Sequence, residues 1–396
     1  MLDTPSNRVE DIRLQSFSLT YEFPVAFTRD AFGIGNRCLI DALTRREPDK
    51  RHKCAIFVDK GVLSAMPDLA AQIGGYFAAH ADKIEMVGSV LPVAGGEICK
   101  NNSETVPNLL VTLSKLAIDR HSYTIAVGGG ALLDAVGYAS AIFHRGVRHI
   151  RFPTTVLAQG DSGVGVKNAV NLFGVKNLIG TFAPPWAIIN DSAFIGILPP
   201  REKRAGMAEA VKVALIRDSN FFDWLENNAD ALATFSAPHL DRLIKDSAEL
   251  HMGQIRLGGD PFEAGSARPL DFGHWSAHKL EQLTDHEVSH GEAVAIGIAL
   301  DTRYSVLTGL LAKGEDDRVL RLLKRLGFVL WDDRLRHRSA SGELALLQGL
   351  AEFREHLGGE LTVTLLADVG RGVEVHEMDP AVVSQCIDWL EQAGLA

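Results

Sequence analysis

The chain has little cysteine: Cys38, Cys54, Cys99 and Cys386 are the four in 396 residues, and no two form a CxxC pair. This excludes a disulfide framework and points to a reducing compartment, the cytoplasm. No apolar run reaches the length of a membrane span, and Met-Leu-Asp-Thr-Pro-Ser-Asn-Arg at the N-terminus lacks the apolar core of a signal peptide. No membrane partner is therefore expected. Positive charge is in deficit, with 40 Lys and Arg against 50 Asp and Glu and a net charge of −10. That balance excludes general nucleic-acid binding, which needs a basic face. The one basic run, Arg45 to Lys53, is short and broken by Glu47 and Asp49, so it reads as a solvated loop. Internal repeats, low-complexity stretches and a GxGxxG fingerprint are also missing.

What remains is the composition of a globular enzyme, 46% hydrophobic and 23% charged, in a chain long enough for two domains. Leu14 to Glu22 alternates as a strand, with Phe17, Leu19 and Tyr21 on one side. Cys54–Val58, Ile84 to Leu91, Tyr123–Val127, His149–Phe152 and Trp186–Asn190 read as further strands separated by helical or loop segments. Alternation of this kind predicts a parallel α/β sheet. Beyond Leu198-Pro-Pro200 helix-period segments dominate: 204–217, 221–228, 240–257, 274–283, 292–311, 318–326, 343–356 and 380–393, with one strand at Leu361 to Leu366. The expected division is residues 1–199 as an α/β dinucleotide-binding domain and 200–396 as a mostly α-helical metal and substrate domain.

Five stretches carry chemistry. Asp59 follows an apolar strand, where an acid can bind a ribose hydroxyl or cap a helix. Gly128-Gly129-Gly130 follows another strand and opens a helix containing Asp134, which lets backbone amides approach a pyrophosphate. Lys167 and Lys176, among glycines and Asn177, suit an anionic group such as phosphate. Glu209 and Lys212 lie one turn apart on one helix face. Downstream, His274 and His278 stand at i and i+4, and His290 follows. One carboxylate with two of these histidines makes a three-ligand zinc site with an open position. Spacing leaves His278 and His290 as equal candidates for the third ligand.

Taken in order, the motifs resemble those of the sugar phosphate cyclases, the superfamily of 3-dehydroquinate synthase. They are Gly-Gly-Glu97-x-x-Lys100, Gly128-Gly-Gly-x-x-x-Asp134, Arg145-Gly, Pro-Thr154-Thr155, Gln-x-Asp161-Ser-x-Val-Gly-x-Lys167, Lys176-Asn177-Leu-Ile-Gly, Arg204-Ala-Gly-Met-Ala-Glu209-x-x-Lys212, Gly273-His274-x-x-x-His278 and His290-Gly-Glu. The resemblance runs from about Leu14 to the C-terminus. It implies a dehydroquinate synthase-like fold with a Rossmann-like N-terminal domain, and NAD held near Asp59, Glu97, Lys100, Gly129, Gly130, Asp134, Thr154 and Thr155. It implies zinc, with cobalt as the alternative, on Glu209, His274 and His290, and it makes His278 a substrate contact. Arg145, Asp161, Lys167, Lys176, Asn177, Lys212 and Arg268 match positions around a sugar phosphate. The resemblance also implies a homodimer in which Arg145 reaches the neighbouring site.

Three departures concern the substrate. 3-Dehydroquinate synthases carry Arg-x-x-x-Asn before the Gly-His, whereas this chain reads Arg268-Pro-Leu-Asp271-Phe-Gly-His274, one residue shorter and with Asp271 in place of Asn. Their upstream lysine falls in His251-Met-Gly-Gln-Ile, where no lysine exists. Their late lysine falls near Glu355. All three point to a substrate without a carboxylate. The spacing resembles that of the sedoheptulose 7-phosphate cyclases, and Gly258–Glu263 and Ala267–Trp275 resemble their 2-epi-valiolone synthase branch. Within the fold the alternative is 3-dehydroquinate synthase itself, and two other classes are weighed against the cyclase reading. A catalytically silent binding or assembly homologue would lack metal and phosphate release. A zinc- and NAD-dependent polyol dehydrogenase would accumulate NADH.

Overall fold

The computed structural model describes residues 13–263, 269–340, 342–356 and 359–394. Its centre is a seven-stranded sheet. The strands are β1 (Val25–Thr28), β2 (His52–Asp59), β3 (Ile84–Met86), β4 (Leu91–Val93), β5 (Tyr123–Gly128), β6 (Arg148–Pro153) and β9 (Ala187–Asp191). The spatial order is β1-β9-β6-β5-β2-β3, with β4 beside β3 along the same side of β2, and all pairings are parallel. The continuous apolar run in β2 and the fully buried β5 suit strands covered by helices on both faces. From β2 the chain runs outward to β3 and β4, then returns to β5 on the other side. This reversal leaves a crevice at the carboxyl ends of β2 and β5, where open α/β sheets bind ligands.

The expected strand from Ile84 to Leu91 is broken in two at Gly88, which is left-handed (φ 79°). Leu14 to Glu22 forms no strand. It is extended without a ladder partner, and Leu14 and Phe17 are 91% and 84% exposed. Its alternation is not used in a ladder, although β1, which starts at Val25, leaves one side of the sheet open. The stretch expected as a polar loop is an antiparallel hairpin, β7 (Lys167–Leu172) and β8 (Val175–Phe182). Phe173 and Gly174 turn it with φ of 54° and 75°, the two-residue geometry matched to strand twist. A second hairpin, β10 (Val363–Asp368) with β11 (Arg371–Val375), extends the single late strand read from sequence.

The remaining chain is chiefly helical, and its largest apolar cluster packs the helices Met207–Arg217, Ala237–Leu257, His274–Leu283 and His290–Leu307 together. The expected helix over 204–217 is two, Pro200–Ala205 and Met207–Arg217, joined at Gly206. A Cβ on Gly206 would lie 2.3 Å from the Leu157 amide nitrogen, so only glycine lets this junction rest on the segment after β6. The helix expected from residue 292 starts at His290, because Ser289 and Glu292 form a capping box. Among the described residues no helix is long and apolar enough to cross a membrane. The four cysteines are free.

Candidate active site

The glycine turn places its groups through backbone. Gly128 to Gly130 join β5 to the helix Gly130–Ile142, and Thr154, just after β6, donates its N–H to the Gly128 carbonyl at 3.0 Å. Thr155 lies against Gly129, whose added Cβ would meet the Thr155 methyl at 3.5 Å. Asp59 ends β2 and caps the next helix, accepting the Gly61 N–H at 2.6 Å. A Cβ on Gly95 would fall 1.9 Å from the other Asp59 oxygen, so the Gly95-Gly96 loop can lie on that carboxylate only as glycine. Glu97 and Lys100 follow on a short helix. Buried Lys100 donates to Asp134 at 2.8 Å and to the Asn177 side chain, and Glu97 accepts from Asn171 at 2.9 Å. Burial pushes the Asp134 carboxyl up, against the pull of the Lys100 ammonium. Asn177, expected beside the substrate, thus ties the β7–β8 hairpin to the cofactor-side residues.

Across the crevice, Glu209, His274 and His290 converge, each offering one ligand atom within 4.8 Å of the others. Glu209 Oε1 lies 3.6 Å from His274 Nε2 and 3.3 Å from His290 Nε2. The remaining ring nitrogens are held: His274 Nδ1 by the Phe272 carbonyl at 3.0 Å, and His290 Nδ1 by Glu281 at 3.0 Å. Lys212 Nζ lies 2.5 Å from Glu209 and 3.2 Å from Asp161. Burial alone would raise the Glu209 carboxyl, but Lys212, His274 and His290 hold it well below the carboxylate range. Burial lowers the His290 imidazole, yet Glu209 and Glu281 carry it up to about 9. This corner favours positive charge at Glu209 Oε1.

The donor set fits a zinc ion: two imidazoles with anchored second nitrogens and a carboxylate, on three helices. His278, Glu281 and His290 form a second group at ligand distance. The two sets share His290, and the first leaves Glu281 to orient that ring through Nδ1, as a carboxylate behind a ligating histidine does, so the first set fits better. His278 stacks on His290 with ring centroids 5.8 Å apart, and burial holds its imidazole neutral, its pKa well below the ordinary value.

Between these two groups lies a cleft of about 490 Å³, lined by Asp134, Asp161, Lys167, Asn177, Lys212, Asp271 and His274 among others. A π-type turn, Ala158–Ser162, delivers Asp161. Lys167 lines the cleft and carries Glu263 at 2.5 Å. Lys176 does not line it, and bonds Glu281 at 2.9 Å, so it supports the carboxylate behind His290. Arg145 is exposed on the turn after the glycine helix, with φ 63°, outside the cleft. Arg268 lies outside the described residues. Glu355 is exposed and is not among the residues lining the cleft.

Sequence reading missed several residues. His251 lines the cleft 3.5 Å from Asp161 and was noticed only as the site of a missing lysine. Glu263 was read as part of a branch motif, with no signal for its pairing. Glu281 lies three residues after His278, a spacing that places both on one helix face and was available as a clue.

Residues 90–205 match the sequence model of the 3-dehydroquinate synthase N-terminal domain, and residues 206–345 that of the C-terminal domain. A 3-dehydroquinate synthase from Dichelobacter nodosus is 40% identical over 57% of this chain and 61% of its own length. Another, from Halorhodospira halophila, is 37% identical over 83% of this chain and 93% of its own. A 2-epi-valiolone synthase from Actinosynnema mirum is 33% identical over 74% and 80%. In structure, the chain is similar to ValA, a 2-epi-5-epi-valiolone synthase from Streptomyces hygroscopicus solved with NAD+ and Zn2+ bound. The TM-score is 0.83 at 26% identity, over 96% of this chain and 99% of that one.

Proposed function

From membership of the 3-dehydroquinate synthase family, the sugar phosphate cyclases, to which this chain belongs, we propose that it cyclises sedoheptulose 7-phosphate to a seven-carbon cyclitol, 2-epi-valiolone, and releases phosphate. NAD, when bound at the glycine turn, supplies a transient oxidation that is reversed before product leaves, and zinc on Glu209, His274 and His290 supplies a Lewis acid for substrate oxygens. The chain's own groups do the rest. Lys167 exchanges its Glu263 partner for the substrate phosphate. Lys212, held cationic by Asp161 and Glu209 against burial, stabilises negative charge on oxygen beside the metal. Neutral His278, stacked on His290 and outside the cleft lining, steadies that ring. Asp271 accepts from a substrate hydroxyl.

The observation that carries the substrate choice is the charge of the cleft wall. Asp134, Asp161, Glu263 and Asp271 line it, and both lining lysines already carry carboxylates. A substrate carboxylate would therefore face acids, at a cost of several kcal/mol in order of magnitude. A neutral polyol end can donate to those same acids.

The test is phosphate release from sedoheptulose 7-phosphate and from the acidic heptulosonate phosphate of 3-dehydroquinate synthase, with NAD and zinc supplied. Specificity constants should differ by roughly thirty- to a thousand-fold in favour of the polyol, equivalent to about 2–4 kcal/mol. Preference for the acid would hand the assignment to 3-dehydroquinate synthase. Net NADH accumulation would make the chain a dehydrogenase. A product other than 2-epi-valiolone by NMR would remove the branch assignment and leave the cyclase.

A further inference from the structure

We propose that Asp301 is a positioning residue for the metal centre, clamping the segment that carries both His274 and Asp271. The inference rests on the zinc reading above. Asp301 lies on the same helix as His290, His290–Leu307, and is completely buried. Its Oδ2 accepts the Gly273 N–H at 2.9 Å and its Oδ1 accepts the Trp275 indole N–H at 2.9 Å. One carboxylate thus holds the residue on each side of His274.

No ion pair to a lysine, arginine or histidine is found for Asp301 among the described residues. A buried carboxylate without a cation is costly, and apolar packing would be cheaper. What it gains is geometry. Two donors converge from one side, and the ionised carboxylate accepts both without presenting a donor of its own. Its position also matters. A Cβ on Gly297 would come 2.0 Å from the Gly273 carbonyl oxygen, and one on Gly273 would come 2.8 Å from the Ile298 nitrogen. The helices bearing His274 and His290 therefore touch at backbone, and Asp301, one turn beyond Gly297, pins their relative rotation. The turn Pro269–Asp271 directly precedes the clamp and sends Asp271 into the cleft. The Phe272 carbonyl inside the clamped segment holds His274 Nδ1. Asp301 touches neither metal nor substrate, and sets where His274 and Asp271 point.

The test is Asp301→Asn, which keeps the volume but turns one amide N–H toward a donor. Zinc affinity of the purified protein is read by competition with a chromophoric chelator, beside NAD affinity and Tm. The expected result is a ten- to hundred-fold weaker zinc affinity, the scale of losing a partner behind a ligand, with NAD affinity unchanged. Trp275→Phe, which removes one donor, should weaken zinc less. The double variant should bind zinc more tightly than Asp301→Asn alone, because the opposed donor is gone. Ser305→Ala, on the same helix, loses bonds to the Asp301 carbonyl and the Leu366 amide. It should lower Tm and leave zinc affinity intact. Wild-type zinc affinity in Asp301→Asn, or a matching zinc loss in Ser305→Ala, would overturn the clamp alone. If Asp301→Asn does not fold, undiminished zinc affinity in Trp275→Phe overturns it. Wild-type protein without stoichiometric zinc by metal analysis would overturn the metal reading and the clamp with it.

Discussion

On the sheet side of the cleft, groups are placed by backbone. Gly95 rests on Asp59, and the Thr154 amide on the Gly128 carbonyl. On the helical side they are placed by buried charge. Glu209 meets Lys212 and two imidazoles, and Glu281 meets His290 and Lys176. Backbone placement asks for glycine and fails when a methyl group is added. Charge placement asks for complete pairing and fails when one partner is removed, because the others stay buried and uncompensated. The two sides should therefore break separately and for different reasons.

The largest effect is expected on the helical side. Glu209→Ala removes one of the three proposed zinc ligands and leaves Lys212 with Asp161 alone. Bound zinc should be lost by metal analysis, and turnover should fall at least about a thousand-fold, near 4 kcal/mol of barrier. NAD affinity should stay at the wild-type value. A parallel loss of NAD would mean that the sides are not independent. Gly95→Ala is the converse. Its Cβ cannot share space with the Asp59 oxygen, so either that carboxylate or the loop leading to Glu97 and Lys100 must move. NAD affinity should weaken by about a hundred-fold, near 2.7 kcal/mol, with zinc content unchanged. Calorimetry and metal analysis on one preparation check both halves of that expectation.

The same contrast explains what could be read from sequence. The parallel sheet and helix positions were legible because apolar runs and helical periods are local. Glu209, His274 and His290 were legible as metal-type residues, although spacing alone could not rank His290 against His278. That choice depends on which ring nitrogen Glu281 occupies, a contact set by packing. The β7–β8 hairpin was missed because Phe173-Gly174 is an uncommon dipeptide for such a turn and its strands are rich in Lys and Asn. Leu14 to Glu22 was misread because alternation reports a face and says nothing of whether a ladder forms. Asp301 could not be found at all, since its role lies in residues 26 and 28 positions earlier in the chain.

The smallest expected effect separates the two sides by pH. In the sheet, burial and then Arg151 push the His149 imidazole down to about 3. Its folded pKa is depressed, so stability present above the unfolded value of about 6.5 is lost as pH falls. Among the helices, burial pushes Asp301 up to about 7, against the Trp275 and Gly273 hydrogen bonds. Its folded pKa is raised, so stability present at low pH is lost as pH rises through about 7. Between pH 6 and 4.5 the two contributions run in opposite directions at up to about 1.4 kcal/mol per pH unit, and they largely cancel in the wild type. Glu209 and Glu281, both held well below the carboxylate range, stay ionised throughout that window. His149→Gln should therefore gain about 2 kcal/mol relative to wild type on going from pH 6 to 4.5, and Asp301→Asn should lose about as much. Urea unfolding of the zinc-loaded proteins at both pH values measures this. Parallel pH dependence in all three would show that the sheet imidazole and the helical carboxyl do not titrate against each other.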